Sequence, residues 1–267
     1  MDTSEQLDIE RVTLNCEKHG PYTGKSQHIP MIGRTISEPC PACVAEEQRL
    51  TTQEAADKNK RQLAERAQQN RKRAQIPKRY KEKRLSDFHA ETEEQRGILA
   101  SAHDYVNDFE RALTQGRCLL LVGTYGTGKT LLANAIANEI MAKGFSARYT
   151  SVLSTARHIK STWGRNATET EEAALKAYLK PDLLILDEVG VQFDTSAERL
   201  IMFDVINGRY EDVKPTIVIS NLPFDSEDDN EQTVISVLGP RSVDRFREAG
   251  GRILQFTWES HRKGVRA

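Results

Sequence analysis

The stretch Cys118-Leu119-Leu120-Leu121-Val122-Gly123-Thr124-Tyr125-Gly126-Thr127-Gly128-Lys129-Thr130 constrains this chain more than any other. An apolar run leads straight into a glycine-rich turn, and Leu131-Leu132-Ala133-Asn134-Ala135-Ile136-Ala137 follows as a good helix former. The order is buried strand, loop, helix, and a helix N-terminus is a ready site for an anion. Gly123, Gly126 and Gly128 can take backbone angles that side chains resist, so successive N–H groups can turn inward around phosphate. The string Gly123-Thr124-Tyr125-Gly126-Thr127-Gly128-Lys129-Thr130 fits G-x-x-x-x-G-K-T. In that pattern Lys129 reaches the β and γ phosphates of ATP, and the Thr130 hydroxyl ligates Mg²⁺.

A second motif lies roughly sixty residues downstream. Leu183-Leu184-Ile185-Leu186 reads as a strand of a parallel sheet, buried on both faces, and Asp187-Glu188 sits at its C-terminal end, where such sheets bind ligands. Asp187 would hold the Mg²⁺ shell, and Glu188 would polarise the attacking water. Thr216-Ile217-Val218-Ile219 is a further apolar strand ending in Ser220-Asn221. Asn221 could touch the γ-phosphate or the water; the alternative makes the pair an ordinary helix cap. Around these motifs the periodicity predicts a helix over Glu93–Leu113, a strand over Ala147–Val152, a helix over Leu153–Trp163 and a last strand over Arg252–Phe256. Arg157, His158, Lys160 and Arg165 could face single-stranded nucleic acid or be plain surface. A helix from Pro240 to Ala249 carries Arg241 and Arg245 four residues apart. One of them could reach a neighbouring subunit's nucleotide as an arginine finger, or both could be surface charges.

The first eighty residues have a different chemistry. Cys16-Glu17-Lys18-His19 and Cys40-Pro41-Ala42-Cys43 give C-x2-H and, after 20 residues, C-x2-C. Cys16, His19, Cys40 and Cys43 would place three sulfurs and one imidazole around a tetrahedral Zn²⁺, leaving no open catalytic position. The intervening segment is too short and polar to bury a core, so metal would supply much of its folding energy. From Val44 to Arg73 the composition is helical, with Val44, Leu50 and Leu63 its only large apolar residues, so this helix is solvated or docks on a partner. Between Lys58 and Arg84 twelve basic residues face two acidic ones, although the net charge of the whole chain is only −1. Such a segment could meet nucleic acid or an acidic partner, or simply be solvated. Ile76-Pro77 ends the helix.

No apolar run approaches a membrane span, and Met1-Asp2-Thr3-Ser4-Glu5-Gln6 has no signal-peptide character, so a cytoplasmic protein is expected. Four cysteines, three of them before residue 44, suit a reducing compartment and a metal site. The expected organisation is a zinc knuckle module over 1–45, a charged helix and basic linker over 46–85, and an α/β P-loop ATPase domain with a parallel sheet over 86–267.

Taken together, the phosphate loop, Leu186-Asp187-Glu188, Ser220-Asn221, Leu238-Gly239-Pro240-Arg241-Ser242-Val243-Asp244-Arg245-Phe246 and Trp258-Glu259-Ser260-His261-Arg262 resemble the DnaC/IstB-like branch of AAA+ ATPases. The resemblance spans about Ile76 to Arg262. It implies an ATPase that loads a DnaB-like replicative ring helicase onto single-stranded DNA, with ATP-dependent self-assembly. Lys129, Thr130, Asp187 and Glu188 match the ATP and Mg²⁺ residues, Asn221 the first sensor, and Arg241 and Arg245 the box holding the finger; Arg262 is a further candidate for nucleotide contact. The cysteine-rich N-terminus resembles that of phage and prophage DnaC-like proteins and would grip the helicase. Two alternatives remain: an IstB-like helper of a transposase, and a zinc-containing nucleic-acid adaptor that only binds nucleotide.

Overall fold

Uninterrupted apolar runs are buried on both faces of a sheet, and three such runs form its centre here. The computed structural model describes residues 9–29, 33–190, 195–228 and 230–260. Its contacts divide the chain into two units, Met1–Gln62 and Leu63–Ala267.

The larger unit is built on β4 (Leu119–Gly123), β5 (Ala147–Ser151), β6 (Leu183–Val189), β7 (Thr216–Ser220) and β8 (Arg252–Phe256), in the order β5-β6-β7-β4-β8. Every neighbouring pair is parallel. Alternate residues of each strand serve opposite faces. Leu119, Leu121, Leu183, Ile185, Ile217 and Ile219 meet α2 (Glu93–Asn107) and α4 (Lys129–Ala142) on one side. Leu120, Val122, Leu186 and Val218 meet α7 (Ser196–Glu211), the short α8 (Val234–Leu238) and α9 (Pro240–Glu248) on the other. Leu184 joins a third cluster with α5 (Val152–Ser161) and α6 (Glu171–Leu179). Each fully buried aliphatic side chain contributes about 1.5–3 kcal/mol, so this three-layer core carries most of the unit's stability.

The helix expected over Glu93–Leu113 is two helices, α2 and α3 (Phe109–Gln115). Asp108 leaves helical geometry at φ −100° and ψ 26°. The resulting turn drops Phe109 into the core edge-on to Tyr105 and Phe145, with ring centroids 5.8 and 5.1 Å away. Aromatic packing thus outweighs the continuous helical pattern.

Residues 63–85 belong to the larger unit, which therefore begins well before the start expected at 86. The long helix α1 (Pro41–Arg73) ends where Asn70 Nδ2 donates to the Gly144 and Phe145 carbonyls at 3.1 and 2.8 Å. Ala74, Ile76, Leu85 and Phe88 are buried in the core beside α4. Single-turn 3-10 segments at Lys78–Tyr80 and Leu85–Asp87 carry the chain over α4, held by Asn138 Nδ2 donating to the Tyr80 and Lys83 carbonyls at 2.8 Å. Few apolar residues interrupt this basic stretch; Leu63 is exposed, whereas Ala67, Ala74, Ile76 and Leu85 are buried.

The smaller unit contains an antiparallel sheet of β1 (Ile9–Cys16), β2 (Gly20–Ile29) and β3 (Arg34–Ser37) in that order. Among residues 11–29 and 33–43, only Gly24 and Cys40 are buried. Apolar burial alone would not hold so open a sheet. Among the described residues no helix is long and apolar enough to cross a membrane.

Candidate nucleotide site and candidate metal centre

The phosphate loop runs from the end of β4 into α4, as its sequence requires. Gly123 has φ +133°, and a Cβ there would stand 2.2 Å from the Phe256 carbonyl oxygen on β8. Gly128 has φ +99° and lies under the Phe88 ring, where a Cβ would be 3.0 Å away. Both positions therefore demand glycine, for conformation and for space. From the C-terminal side, the Trp258 indole donates to the Thr127 carbonyl at 3.1 Å, and Phe88, Phe256 and Trp258 pack as an aromatic cluster.

Lys129 is buried, and its Nζ donates to the Gly123 and Thr124 carbonyls at 2.6 Å and to Thr127 Oγ1 at 3.4 Å. Phosphate oxygens are charged and stronger acceptors, so these are bonds a polyphosphate can exchange. Thr130 Oγ1 donates to Asp187 Oδ2 at 3.0 Å, which joins the loop to the end of β6. Tyr149 on β5 donates to the same oxygen at 2.9 Å, and the Glu188 N–H donates to Asp187 Oδ1 at 2.8 Å. Burial, with the Asp187 charge behind it, pushes the Tyr149 hydroxyl far above its ordinary pKa, so it acts only as a neutral donor.

Glu188 takes φ +62°, and the pairing of β6 with β7 slips between Leu186 and Val189. A left-handed glutamate costs on the order of 1–3 kcal/mol and persists where surrounding structure enforces it. Here it leaves Glu188 exposed on the wall of the cavity while Asp187 is buried. The cavity holds about 480 Å³ and is lined by Gly126 to Leu131, Asp187, Glu188 and Asn221, with Tyr125 at its edge. Two segments of opposite chemistry thus meet at one place: a cationic, N–H-rich loop and an acidic strand end. A Mg²⁺-polyphosphate suits that donor set. No helix begins at Ser220-Asn221; Ser220 Oγ instead donates to the Val189 carbonyl at 2.6 Å, which sets Asn221 at the cavity.

Sequence reasoning missed the opposite wall, formed by Arg79, Tyr80, Asp87, Phe88 and His89. The signal was Leu85 and Phe88, two large apolar residues in a basic stretch with no other evident partner. Tyr149 and Trp258 also went unassigned as site residues, since neither belongs to a nucleotide motif. Arg241 and Arg245 are absent from this cavity's lining. Arg241 is exposed, whereas Arg245 donates to the Asn207 side-chain oxygen and lies over the Tyr210 ring at 4.8 Å, both on α7. His158 sits between Tyr178 and Glu169, at 2.8 and 2.6 Å, and Lys160 pairs with Glu198 at 2.8 Å. Arg262 lies outside the described residues.

The second constellation is Cys16, His19, Cys40 and Cys43, whose ligand atoms all lie within 4.8 Å of one another. Cys16 and His19 flank the β1–β2 turn, and Cys40 and Cys43 straddle the start of α1. The Cys16 and Cys43 sulfurs are 3.5 Å apart, and His19 Nδ1 is 3.7, 3.8 and 3.3 Å from the sulfurs of Cys16, Cys40 and Cys43. Sulfurs bound tetrahedrally at about 2.3 Å to one Zn²⁺ stand about 3.8 Å apart, so the donor set fits that ion. His19 turns Nδ1 to the sulfurs, and its Nε2 is 3.8 Å from the Glu46 carboxylate, which accepts a hydrogen bond from Lys18 at 2.5 Å. Backbone N–H groups of His19 and Lys18 pull the Cys16 thiol down to about 6, while the hydrogen bond with Cys16 pushes the Cys43 thiol up to about 11, so without a cation between them the two sulfurs do not both favour the thiolate.

The family described as IstB-like ATP binding protein matches residues 45–261. The Replicative helicase loader DnaC of Buchnera aphidicola subsp. Baizongia pistaciae is 29% identical over 220 residues, covering 82% of this chain and 84% of that protein. Its counterpart from Escherichia coli strain K12 is 30% identical over 181 residues, covering 68% of this chain and 69% of its own. In fold, the chain is similar to the crystal structure of the DnaC helicase loader, with a TM-score of 0.58 at 24% identity over 67% of this chain and 99% of that one. The extent of these matches and the assembled phosphate site lead to one assignment: the chain belongs to the IstB-like ATP-binding family of AAA+ P-loop proteins.

Proposed function

We propose that the protein is an ATP-driven loader that delivers a ring-shaped replicative helicase onto single-stranded DNA. The observation that carries this reading is the complete phosphate-loop and carboxylate site in a chain whose long-range relatives bear the name Replicative helicase loader DnaC. That name sets the transposase-helper alternative second. The full set of Lys129, Asp187 and Glu188 speaks against an adaptor that only binds nucleotide.

In this reading Gly123 to Gly128 cradle the phosphates with their N–H groups, and Lys129 neutralises the β and γ phosphates. Thr130 and Asp187 hold Mg²⁺, Glu188 polarises the attacking water, and Asn221 senses the γ-phosphate. Arg241 or Arg245 completes the site of a neighbouring subunit, which makes hydrolysis depend on self-assembly. Cys16, His19, Cys40 and Cys43 bind a structural Zn²⁺ that holds the N-terminal sheet to the start of α1. That module, through about residue 45, and the exposed part of α1 grip the helicase. The basic residues around the end of α1 take the acidic partner or the DNA backbone. A protein with this task works in the cytoplasm.

The test is retention of the host's replicative helicase on the immobilised full chain, with ATP, with ADP and with neither. Retention that changes with the nucleotide, followed by transfer of helicase to single-stranded DNA, is the expected result. No retention under any nucleotide, alongside retention of a transposase encoded next to this gene, would replace the loader by the helper.

A further inference from the structure

Asp187 has a neighbour that no nucleotide motif supplies. Tyr149 stands on β5, paired in register with Ile185 of β6, and its hydroxyl reaches across to Asp187 Oδ2 at 2.9 Å. That oxygen also accepts from Thr130 at 3.0 Å, and Oδ1 accepts from the Glu188 N–H at 2.8 Å. A carboxylate offers about four acceptor positions, so three are filled by donors from three different elements. The terminal torsion of an aspartate is broad and nearly two-fold, and these donors remove that freedom.

Tyr149 is itself anchored. Its backbone N–H donates to the Ala74 carbonyl at 2.7 Å, just past the end of α1. Asn70 ties the last turn of α1 to Gly144 and Phe145, immediately before β5. The edge of the sheet at β5 is thus closed by the segment that enters the ATPase unit.

We infer that Tyr149 is a positioning residue for the metal-nucleotide complex: it fixes the Asp187 carboxylate so that Asp187 and Thr130 can serve one cation, and the end of α1 fixes Tyr149. The inference rests on the reading of this cavity as a Mg²⁺-ATP site. Mg²⁺ demands near-ideal octahedral geometry, so a carboxylate free to rotate loses metal affinity before it loses nucleotide affinity. Loss of an outer hydrogen bond to a metal ligand typically weakens metal binding about 10–100-fold.

The experiment is binding of a fluorescent ATP analogue to the full chain, first in chelator and then across a Mg²⁺ titration. The proteins compared are the wild type, Tyr149→Phe, Asn70→Ala and Thr130→Ala. Tyr149→Phe keeps the ring and removes only the hydroxyl. It is expected to bind the analogue in chelator as the wild type does, while half-saturation by Mg²⁺ rises about tenfold. Asn70→Ala should move half-saturation in the same direction by less. An unchanged half-saturation in Tyr149→Phe beside a raised one in Thr130→Ala overturns the inference and leaves the site reading standing. No shift in Thr130→Ala overturns the site reading itself. Equal loss of affinity in chelator and in Mg²⁺ for Tyr149→Phe would show loop damage and also overturn the positioning role.

Discussion

Thr130 and Asp187 share a hydrogen bond of 3.0 Å across 57 positions of sequence, so the phosphate loop and the end of β6 form a single site. The two sides of that site should fail differently. Lys129→Ala removes the buried ammonium from the loop and should weaken ATP binding by on the order of 100-fold or more, since each charge-assisted bond is worth about 1.5–3 kcal/mol. Glu188→Gln keeps the shape and the cradle. It should bind ATP within a few-fold of wild type and lose roughly 10²–10⁴ in turnover, because an amide cannot act as a base. Equilibrium binding and phosphate release measured on the same preparations separate the two. Wild-type turnover in Glu188→Gln would remove the base from Glu188.

What the sequence made legible follows from locality. Gly123, Gly128, Lys129 and Thr130 lie within eight consecutive positions, so their spacing alone brings them together. The buried strands announce themselves because residues such as Leu183 to Leu186 have no polar neighbour to turn outward. Tyr149, Phe88 and Trp258 reach the site through tertiary contacts of 38, 40 and 131 positions, to Asp187, Gly128 and Thr127, and no local pattern encodes such meetings. The break at Asp108 was hidden for the same reason, since Phe109 fits the helical period whether the helix continues or turns. The four residues of the candidate metal centre stand out in the sequence because a metal ion would impose knuckle spacing on chemistry that is itself rare.

The thiols make that candidate metal site testable by counting. Protein purified without chelator should carry one Zn²⁺ per chain, and Cys40→Ser should release it while sparing ATP binding. At pH 8 a chelator should be required before an alkylating reagent modifies Cys16, Cys40 and Cys43. Cys118 should react only on unfolding: it is buried, and burial pushes its thiol from an ordinary 9.0 up to about 11. The sign of the pH effect follows. Below pH 9 both folded and unfolded chains carry the neutral thiol, whereas between 9 and 11 only the unfolded chain ionises. Cys118 therefore withdraws stability as pH rises through that window, by on the order of 2 kcal/mol, and Cys118→Ala should flatten the alkaline slope. Rapid labelling of three thiols without chelator would exclude a bound metal.

Arg209 is a structural centre that the sequence did not flag. It is 1% exposed, and its guanidinium donates to Thr216 Oγ1 and to the carbonyls of Tyr178, Leu179, Pro181 and Pro215. Burial lowers its pKa to about 10, yet the fork satisfies carbonyls at the end of α6, before β6 and before β7 together. Arg209→Leu would leave those acceptors buried without donors and should cost about 3–5 kcal/mol. Arg209→Lys should recover only part, because an ammonium has three donors and no planar fork. Chemical denaturation measures both. A loss below about 1 kcal/mol for Arg209→Leu would show that water replaces the fork.

Self-assembly is the remaining question, and it turns on α9. Arg245 is held within its own subunit by Asn207 and the Tyr210 ring, while Arg241, one turn earlier, is exposed. An arginine acting in trans leaves an isolated subunit with an incomplete site, so the specific ATPase rate should rise with protein concentration or when single-stranded DNA gathers subunits. Arg245→Ala should bind ATP nearly normally, since its residue stands outside the cavity, and should lose that stimulation. It should also lose some stability, because α9 gives up the contacts of Arg245 with Asn207 and Tyr210 on α7. Mixing Arg245→Ala with Lys129→Ala should restore part of the activity, since one supplies an intact cradle and the other an intact arginine. If the mixture is as inactive as either parent while the two demonstrably co-assemble, Arg245 is not the finger. The same mixture with Arg241→Ala then decides for the exposed arginine, which can reach a neighbour without first leaving Asn207.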